Sequence, residues 1–145
     1  MDQVQKLDPD HTWSGLSLAL TDHPQMIDVH AEFLGAARTT DVISFAYSPH
    51  PPATTGYTGD VIVNVEQAME VGPREAGVAH ELALYIAHGC HHLTGADDST
   101  PALRRRMRRI ELDWLRQAGE LGLIDPILTL PSVPSHRECC EEVGQ

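Results

Sequence analysis

The segment that most constrains the fold is an apolar stretch that carries two histidines four residues apart, His88 and His92. On an α-helix, that spacing places both imidazoles on one face, one turn apart. Because the surrounding residues are mostly apolar, the helix is predicted to be buried, and a buried imidazole needs a polar partner. Gly95 then favours the left-handed backbone conformation that ends a helix, which lets the chain turn back.

A carboxylate follows the histidines at a spacing that suits a metal site. Asp98 comes six residues after His92, and two imidazoles with one carboxylate are a ligand set of catalytic zinc. The sequence therefore predicts one zinc ion per chain, bound by His88, His92 and Asp98. Asp97 remains either a rival ligand or a carboxylate that orients an imidazole. Gly89 stands where the H-E-x-x-H motif has its glutamate, so that class of metalloprotease is excluded.

Three neighbouring residues on the same predicted helix are expected to lie outside the ligand set. His91 points about 100° away from His92, so we expect it to support a ligand or to lie at the surface. Cys90 faces away from the histidine pair and is expected in the core. His80 lies two turns earlier, about 12 Å from His88, which is too far to bind the same ion.

Charge limits the binding partners of this chain. The net charge is −11 over 145 residues, which argues against a general nucleic-acid binder because phosphate contacts need a basic face. Half of the ten basic residues, however, lie in one run. This run is either a solvated helix face or a local patch that contacts phosphate. It consists of Arg104, Arg105, Arg106, Arg108 and Arg109.

Composition also predicts where the protein acts. The sequence has no stretch of about 18 apolar residues, so no transmembrane helix is expected, and its polar start lacks a signal-peptide pattern. Three cysteines, Cys90, Cys139 and Cys140, do not form a disulfide framework. A reducing cytoplasm is therefore the expected location.

The remaining periodicity predicts a small α+β domain, with a short mixed sheet packed against helices and a buried central helix that carries the histidines. Strands are expected at 16–20, 42–45 and 61–63, and helices at 22–34, 67–71, 74–93 and from Thr100 to about 119. In the first strand, Leu16, Leu18 and Leu20 alternate with Ser17, Ala19 and Thr21, which indicates a half-buried strand.

The last helix is expected to bury an apolar stripe at helical spacing. Its members are Leu103, Met107, Ile110 and Trp114. Residues 1–124 are predicted to form one domain. The segment 125–145 carries three prolines and no periodic apolar stripe, so it is predicted to be a flexible tail.

Four blocks in order along the chain carry a resemblance. They are residues 40–45, residues 59–63, residues 88–98, and the trio Met107, Glu111 and Leu115. They resemble the T-D-V-L-S-F, G-D-I-x-I, H-G-x-L-H-L-x-G-Y-D-H and M-x-x-x-E-x-x-x-L patterns of the YbeY family of bacterial endoribonucleases. The resemblance covers roughly residues 13–124.

The chain departs from the family pattern at four positions. The family's third metal histidine is Asp98 here, which is still a competent zinc ligand. The leucine before the second ligand is His91, and the family's tyrosine is Ala96. The arginine of the family's Y-R-G stretch aligns with Leu34. Arg38, four residues further on, is the candidate to replace that arginine.

The resemblance implies further site residues and a function. Asp41, Ser44 and Asp60 are expected to line the cleft, and with Asp97 and Arg38 they complete the predicted catalytic set. The implied activity is that of a zinc-dependent endoribonuclease that cleaves single-stranded RNA in ribosomal RNA maturation and ribosome quality control. The general base is left open, as is the choice between water and the RNA 2′-hydroxyl as nucleophile.

Partners and rival functions follow from the same resemblance. Single-stranded or ribosomal RNA is the implied partner, with a small-subunit ribosomal protein or a ribosome-associated GTPase as further candidates. No membrane and no DNA are expected. The alternative function is a non-catalytic, metal-stabilised ribosome-assembly factor. A metallohydrolase that acts on a small molecule is the third hypothesis.

Overall fold

The computed structural model describes residues 1–53 and 55–128, so most of the predicted tail lies outside the described residues. The helices are α1 (Asp2–Leu7), α2 (His23–Leu34), α3 (Val65–Val71), α4 (Val78–Leu93) and α5 (Pro101–Glu120), and the strands are β1 (Trp13–Thr21), β2 (Val42–Tyr47) and β3 (Tyr57–Asn64). Short 3-10 turns span Gly72–Arg74 and Asp125–Leu128. The predicted α+β class is confirmed.

The sheet is mixed, and α4 packs against it. Its strand order is β1-β3-β2, with β1 parallel and β2 antiparallel to the central β3. The side chains of Val42 and Val61 face Gly89 of α4. On the opposite face, the ring of Phe33 from α2 lies 5.2 Å from the ring of Phe45. Helix α4 is therefore held between the sheet and α5, as expected for the central helix.

Strand β1 is more exposed than the half-buried strand that the sequence predicts. Leu16 packs against the core, but Leu18 and Leu20 are 51% and 56% exposed. The reason is that α4 packs over β2 and β3, the other two strands of the sheet. Alternation along a sequence identifies one face of a strand, but it does not decide whether another element covers that face.

Local capping signals explain where the helices begin and end. The Asp22 carboxylate accepts a hydrogen bond from the Gln25 N–H at 2.9 Å, and Gly35 ends α2 with φ 72°. The Thr100 hydroxyl caps α5 in the same way. These predicted boundaries are confirmed. Helix α4, however, begins at Val78 rather than at Arg74, because a 3-10 turn and then Gly77, with φ 105°, precede it.

Of the stripe predicted for helix α5, only Met107 is fully buried, and the buried face continues through other residues. Met107, Glu111 and Leu115 are its buried residues, whereas Ile110 and Trp114 are half-buried at the flank. The prediction followed apolar residues only. The actual face has a glutamate at its centre, because that carboxylate meets histidines of α4.

Two further predictions concern the chain ends and the membrane. The turn at Asp125–Leu128 contacts α4, and residues 129–145 are outside the described part. The division at residue 124 therefore stays a prediction. Among the described residues, no helix combines the length and the apolar character that crossing a bilayer requires.

Candidate metal centre

Three side chains meet where α4 ends and the chain turns back. The Nε2 atoms of His88 and His92 are 3.1 Å apart. The Asp98 Oδ2 atom lies 3.8 Å from the first and 3.9 Å from the second. Helix α4 supplies both imidazoles one turn apart, and Gly95, with φ 79°, reverses the chain so that Asp98 returns to them. The structure thus brings the three predicted ligands together.

The separations of these atoms fit a bound cation. Ligands bonded to a tetrahedral ion at about 2.0–2.1 Å lie about 3.3–3.4 Å apart, and the observed separations differ from this by roughly 0.6 Å or less. In the described part of the chain, no other group of three histidine, cysteine or acidic side chains comes as close together. Small side-chain movements would complete the coordination geometry.

Hydrogen bonds determine the tautomers of both histidines. The Nδ1–H of His92 donates to the Ala96 carbonyl oxygen at 3.0 Å, and the Nδ1–H of His88 donates to Glu111 Oε1 at 2.8 Å. Each Nε2 therefore presents a lone pair toward the other Nε2. Two such lone pairs beside a carboxylate repel one another unless a cation or proton lies between them, so this donor set suits a metal ion.

Glu111 is the site residue that sequence reasoning missed. Its side chain is 1% exposed, and it also accepts a hydrogen bond from His91 Nδ1 at 3.3 Å. Burial alone would raise the pKa of this carboxyl group, but the two imidazole hydrogen bonds and the positive charges of His88 and Arg108 together outweigh burial and lower the pKa to about 2. A glutamate between two apolar residues at helical spacing was the available sequence signal.

The same contact acts on His88. Burial lowers the pKa of an imidazole, but the hydrogen bond that His88 donates to Glu111, together with the negative charge of Glu111, outweighs burial and raises the pKa of His88 above its ordinary value. The charges of Asp41 and Asp98 act in the same direction. The carboxylates around the centre therefore make its electrostatic potential negative, which favours a cation over an anionic ligand.

The neighbours of the ligands on α4 and in the following loop divide into buried and exposed residues. His91 is 4% exposed and is buried against α5. Cys90 packs against the core, and burial raises the pKa of its thiol. Asp97 is exposed, and its carboxylate accepts hydrogen bonds from the Ser99 N–H and hydroxyl, both at 2.8 Å. The structure thus gives Asp97 a turn contact and not a place in the ligand group.

Two of the predicted cleft residues lie on the α4 side of the sheet. Asp41 precedes β2 and accepts hydrogen bonds from the Thr40 hydroxyl at 3.0 Å and the Val42 N–H at 2.9 Å. Its charge raises the pKa of His88. Ser44 follows Val42 by two residues in β2, so it shares the sheet face that α4 covers.

The other two predicted residues are not brought to the ligand group. Asp60 lies on the sheet face opposite to its neighbour Val61, and it accepts a hydrogen bond from the Tyr47 hydroxyl at 2.9 Å. Arg38 is exposed, and its Nε–H donates to His30 Nε2 at 3.1 Å. The Asp60 contact joins β2 and β3 on the sheet face that α4 does not cover, and the Arg38 contact is made to α2.

His80 lies in a separate place, as expected. It lines a cavity of about 450 Å³ between the first half of α4 and α5, together with Glu81 and Arg108. This cavity does not include the candidate ligands. His80 is therefore a suitable internal control for metal binding.

Replacing Asp98 by histidine is expected to preserve metal binding, because an imidazole is also a good zinc ligand. Asp98→Ala should weaken binding by more than the roughly 10–100-fold that loss of an outer hydrogen-bond partner costs. A competition titration with a chromogenic chelator measures both effects. Asp97→Ala is the control and should leave affinity unchanged. If Asp97→Ala loses the metal while Asp98→Ala retains it, the assignment of the third ligand is wrong.

Comparison with known proteins identifies relatives of this chain. A family model described as Endoribonuclease YbeY matches residues 1–119. A relative from Anaeromyxobacter sp. named Endoribonuclease YbeY is 35% identical over 108 residues, which cover 74% of this chain and 56% of the relative. The same name is carried by a Rhodopirellula baltica relative, 36% identical over 107 residues that cover 68% of this chain and 49% of the relative.

A longer match extends over more of one relative. A Kineococcus radiotolerans protein, also named Endoribonuclease YbeY, is 32% identical over 131 residues, which cover 83% of this chain and 75% of that protein. The chain spans about half the length of the first two relatives. The matched region contains all three candidate ligands, and together these matches establish that the chain belongs to the YbeY family.

Proposed function

We propose that this chain is a zinc-dependent endoribonuclease that cleaves single-stranded RNA in ribosomal RNA maturation and ribosome quality control, in the cytoplasm. The observation that carries this proposal is the ligand group itself. Three converging donor atoms with oriented tautomers lie in a chain that belongs to a family named for endoribonuclease activity. The small-subunit ribosomal protein and the ribosome-associated GTPase remain proposed partners.

His88, His92 and Asp98 would bind the ion. A divalent ion in such a site supplies Lewis acidity toward a phosphoryl oxygen and lowers the pKa of water. Ala96 and Glu111 hold the two imidazoles with their Nε2 atoms directed into the site. Because these hydrogen bonds exist before substrate arrives, the ligands need little reorganisation on binding.

Asp41 is the proposed proton acceptor. Glu111 is already bonded to two imidazoles, and Asp98 belongs to the ligand group. Asp41 is half-buried at the start of β2, and its charge reaches His88. A carboxylate placed there can accept a proton from a nucleophilic hydroxyl group. Ser44, on the same face of the sheet, is proposed to contact the RNA backbone.

The arginine run supports RNA binding. All five arginines of the run are exposed, and among the described residues the arginine ion pairs involve Arg116 only. The Arg104 guanidinium donates to the Asp98 carbonyl oxygen at 3.2 Å, so the run begins directly beside the ligand loop. Exposed guanidinium groups in this position can bind phosphates as bidentate donors.

The two arginines nearest the centre are expected to contribute most to RNA binding. Arg104 and Arg108 share the helix face of Glu111, whereas Arg106 and Arg109 point to the other side of α5. We expect Arg104→Gln with Arg108→Gln to weaken single-stranded RNA binding and to reduce the salt slope by about one to two. Fluorescence anisotropy with a labelled oligonucleotide at several salt concentrations measures both quantities.

The matched control has the same net charge as the variant with Arg104→Gln and Arg108→Gln. Arg106→Gln with Arg109→Gln also removes two positive charges, but it should affect RNA affinity less. Metal content should be unchanged in both double variants. Equal losses of affinity would mean that net charge matters and that position along α5 does not. An unchanged affinity and salt slope in both would assign the run to a solvated helix face.

Cleavage of RNA tests the proposed activity directly. Zinc-loaded protein should cleave a labelled single-stranded RNA, whereas His92→Ala should not, and a duplex of the same sequence should resist cleavage. One observation favours the non-catalytic alternative. Leu34, at the position of the family arginine, is 54% exposed and carries no charge. Zinc binding and RNA binding without any cleavage would support that assembly-factor role.

A further inference from the structure

A buried chain of polar side chains lies beneath the candidate metal centre. It runs from His91 through Glu111 to His88, and its two innermost members are 4% and 1% exposed. Both imidazoles donate to the same carboxylate oxygen, Glu111 Oε1, at 3.3 and 2.8 Å. The His91 ring also packs beside the Trp114 ring, with centroids 5.5 Å apart.

A carboxylate in this position is costly unless it is paired. An ionised group removed from water loses its solvation, and hydrogen bonds must replace it. Here each imidazole provides one, and among the described residues no buried side-chain nitrogen or oxygen lacks a hydrogen-bond partner. Two aromatic donors on one oxygen limit rotation of the carboxylate, which a single donor would permit.

We propose that Glu111 is a positioning residue for the metal ligand His88, and that His91 fixes the carboxylate of Glu111 in the orientation that this requires. The inference rests on the proposed metal centre. Helix α4 supplies the imidazoles of His88 and His91, three residues apart, and α5 inserts the Glu111 carboxylate between them. The carboxylate holds His88 with its Nε2 lone pair directed at Asp98 and His92, and its charge makes that imidazole a stronger donor.

The first test replaces the carboxylate. Glu111→Gln keeps the size of the side chain and one acceptor oxygen, but it removes the negative charge that makes His88 a stronger metal ligand. We expect affinity for zinc to fall roughly 10–100-fold, as for other partners of metal-bound histidines. A chelator competition titration measures this loss. The visible absorption spectrum of the cobalt(II)-loaded protein should also change, because His88 becomes a weaker donor to the metal when its partner loses its charge.

Glu81→Gln is the matched control. Glu81 is also a buried glutamate, 8% exposed, but its partner is Tyr85 rather than a candidate ligand. This substitution removes the same charge from the same two-helix region. It should lower the melting temperature while zinc affinity and the cobalt spectrum stay as in the wild type. An equal loss of affinity in both variants would overturn the proposal, because it would indicate a general effect of buried charge.

The second test addresses His91 and remains available if Glu111→Gln does not fold. His91→Leu fills the space but removes the donor, so zinc affinity should fall by less than in Glu111→Gln. His91→Asn places an amide N–H close to the former Nδ1 position and should restore affinity. Because His91 acts through Glu111, His91→Leu should add little to the loss in Glu111→Gln. Equal affinities for His91→Leu, His91→Asn and wild type would overturn the role of His91.

The results separate this proposal from the proposed function. Wild-type protein that binds zinc but cleaves no RNA would contradict the endoribonuclease activity and leave the positioning roles standing. Wild-type protein that cleaves RNA, with unchanged zinc affinity and cobalt spectrum in Glu111→Gln, would refute the positioning roles alone.

Discussion

Replacement of both His88 and His92 by alanine is expected to abolish stoichiometric metal binding. The two Nε2 atoms, 3.1 Å apart, are two of the three converging donors, and the variant would retain a single carboxylate. Because metal affinity depends on the number of preorganised ligands, we expect a loss of more than about a thousandfold. Metal analysis of protein purified without added metal, followed by a zinc titration, measures the effect.

His80→Ala is the control for that experiment. His80 is on the same helix, but it lines the separate cavity between α4 and α5, so its loss should leave metal content unchanged. Circular dichroism should confirm that the double variant is folded. If the double variant still held about one zinc ion per chain, the ion would be bound elsewhere and the candidate centre would be wrong.

Gly89→Ala is expected to destabilise the fold, although alanine is the better helix former. A methyl group at this position would lie 2.7 Å from Val42 Cγ2 and 2.7 Å from Val61 Cγ1. Both valines are β-branched and stiff in the sheet, so they cannot rotate away cheaply. The overpacking cost of about 1–3 kcal/mol exceeds the roughly 0.5–1 kcal/mol that alanine gains in a helix. Denaturant unfolding measures the free-energy difference.

Gly119→Ala is the control for Gly89→Ala, because Gly119 also lies in a helix. A methyl group there would meet only Ile124 Cδ1, at 3.8 Å, which is ordinary van der Waals contact. The free energy of unfolding should therefore stay the same or rise by up to about 0.5–1 kcal/mol. If Gly89→Ala were as stable as Gly119→Ala, the close approach of α4 to the sheet would not be what requires glycine at position 89.

Features that depend on a few neighbouring residues were predictable from the sequence. The spacing of His88 and His92 places both on one helix face whatever the rest of the fold, because the helical repeat determines it. The caps at Asp22 and Thr100 and the stops at Gly35 and Gly95 act through local backbone geometry. The ligand group could be predicted for the same reason, since its members lie within one helix and one turn.

Contacts between distant elements could not be predicted in this way. The hydrogen bonds of Glu111 to His88 and His91 depend on the rotation of α5 about its axis, and the apolar pattern of α5 indicated a neighbouring face. The exposure of Leu18 and the separation of Asp60 from the histidines depend on strand order and on which face α4 covers.

The sequence by itself thus determined the fold class, the capped ends of α2 and the start of α5, and three candidate ligands that converge through local geometry. Only the tertiary structure decided which carboxylate supports His88, which face of β1 lies open to solvent, and that Arg38 and Asp60 bond elsewhere. The physical reason is the separation along the chain over which each kind of interaction acts. Capping, helical periodicity and glycine conformation act over a few residues, whereas burial and long-range hydrogen bonds depend on which surfaces the whole chain brings into contact.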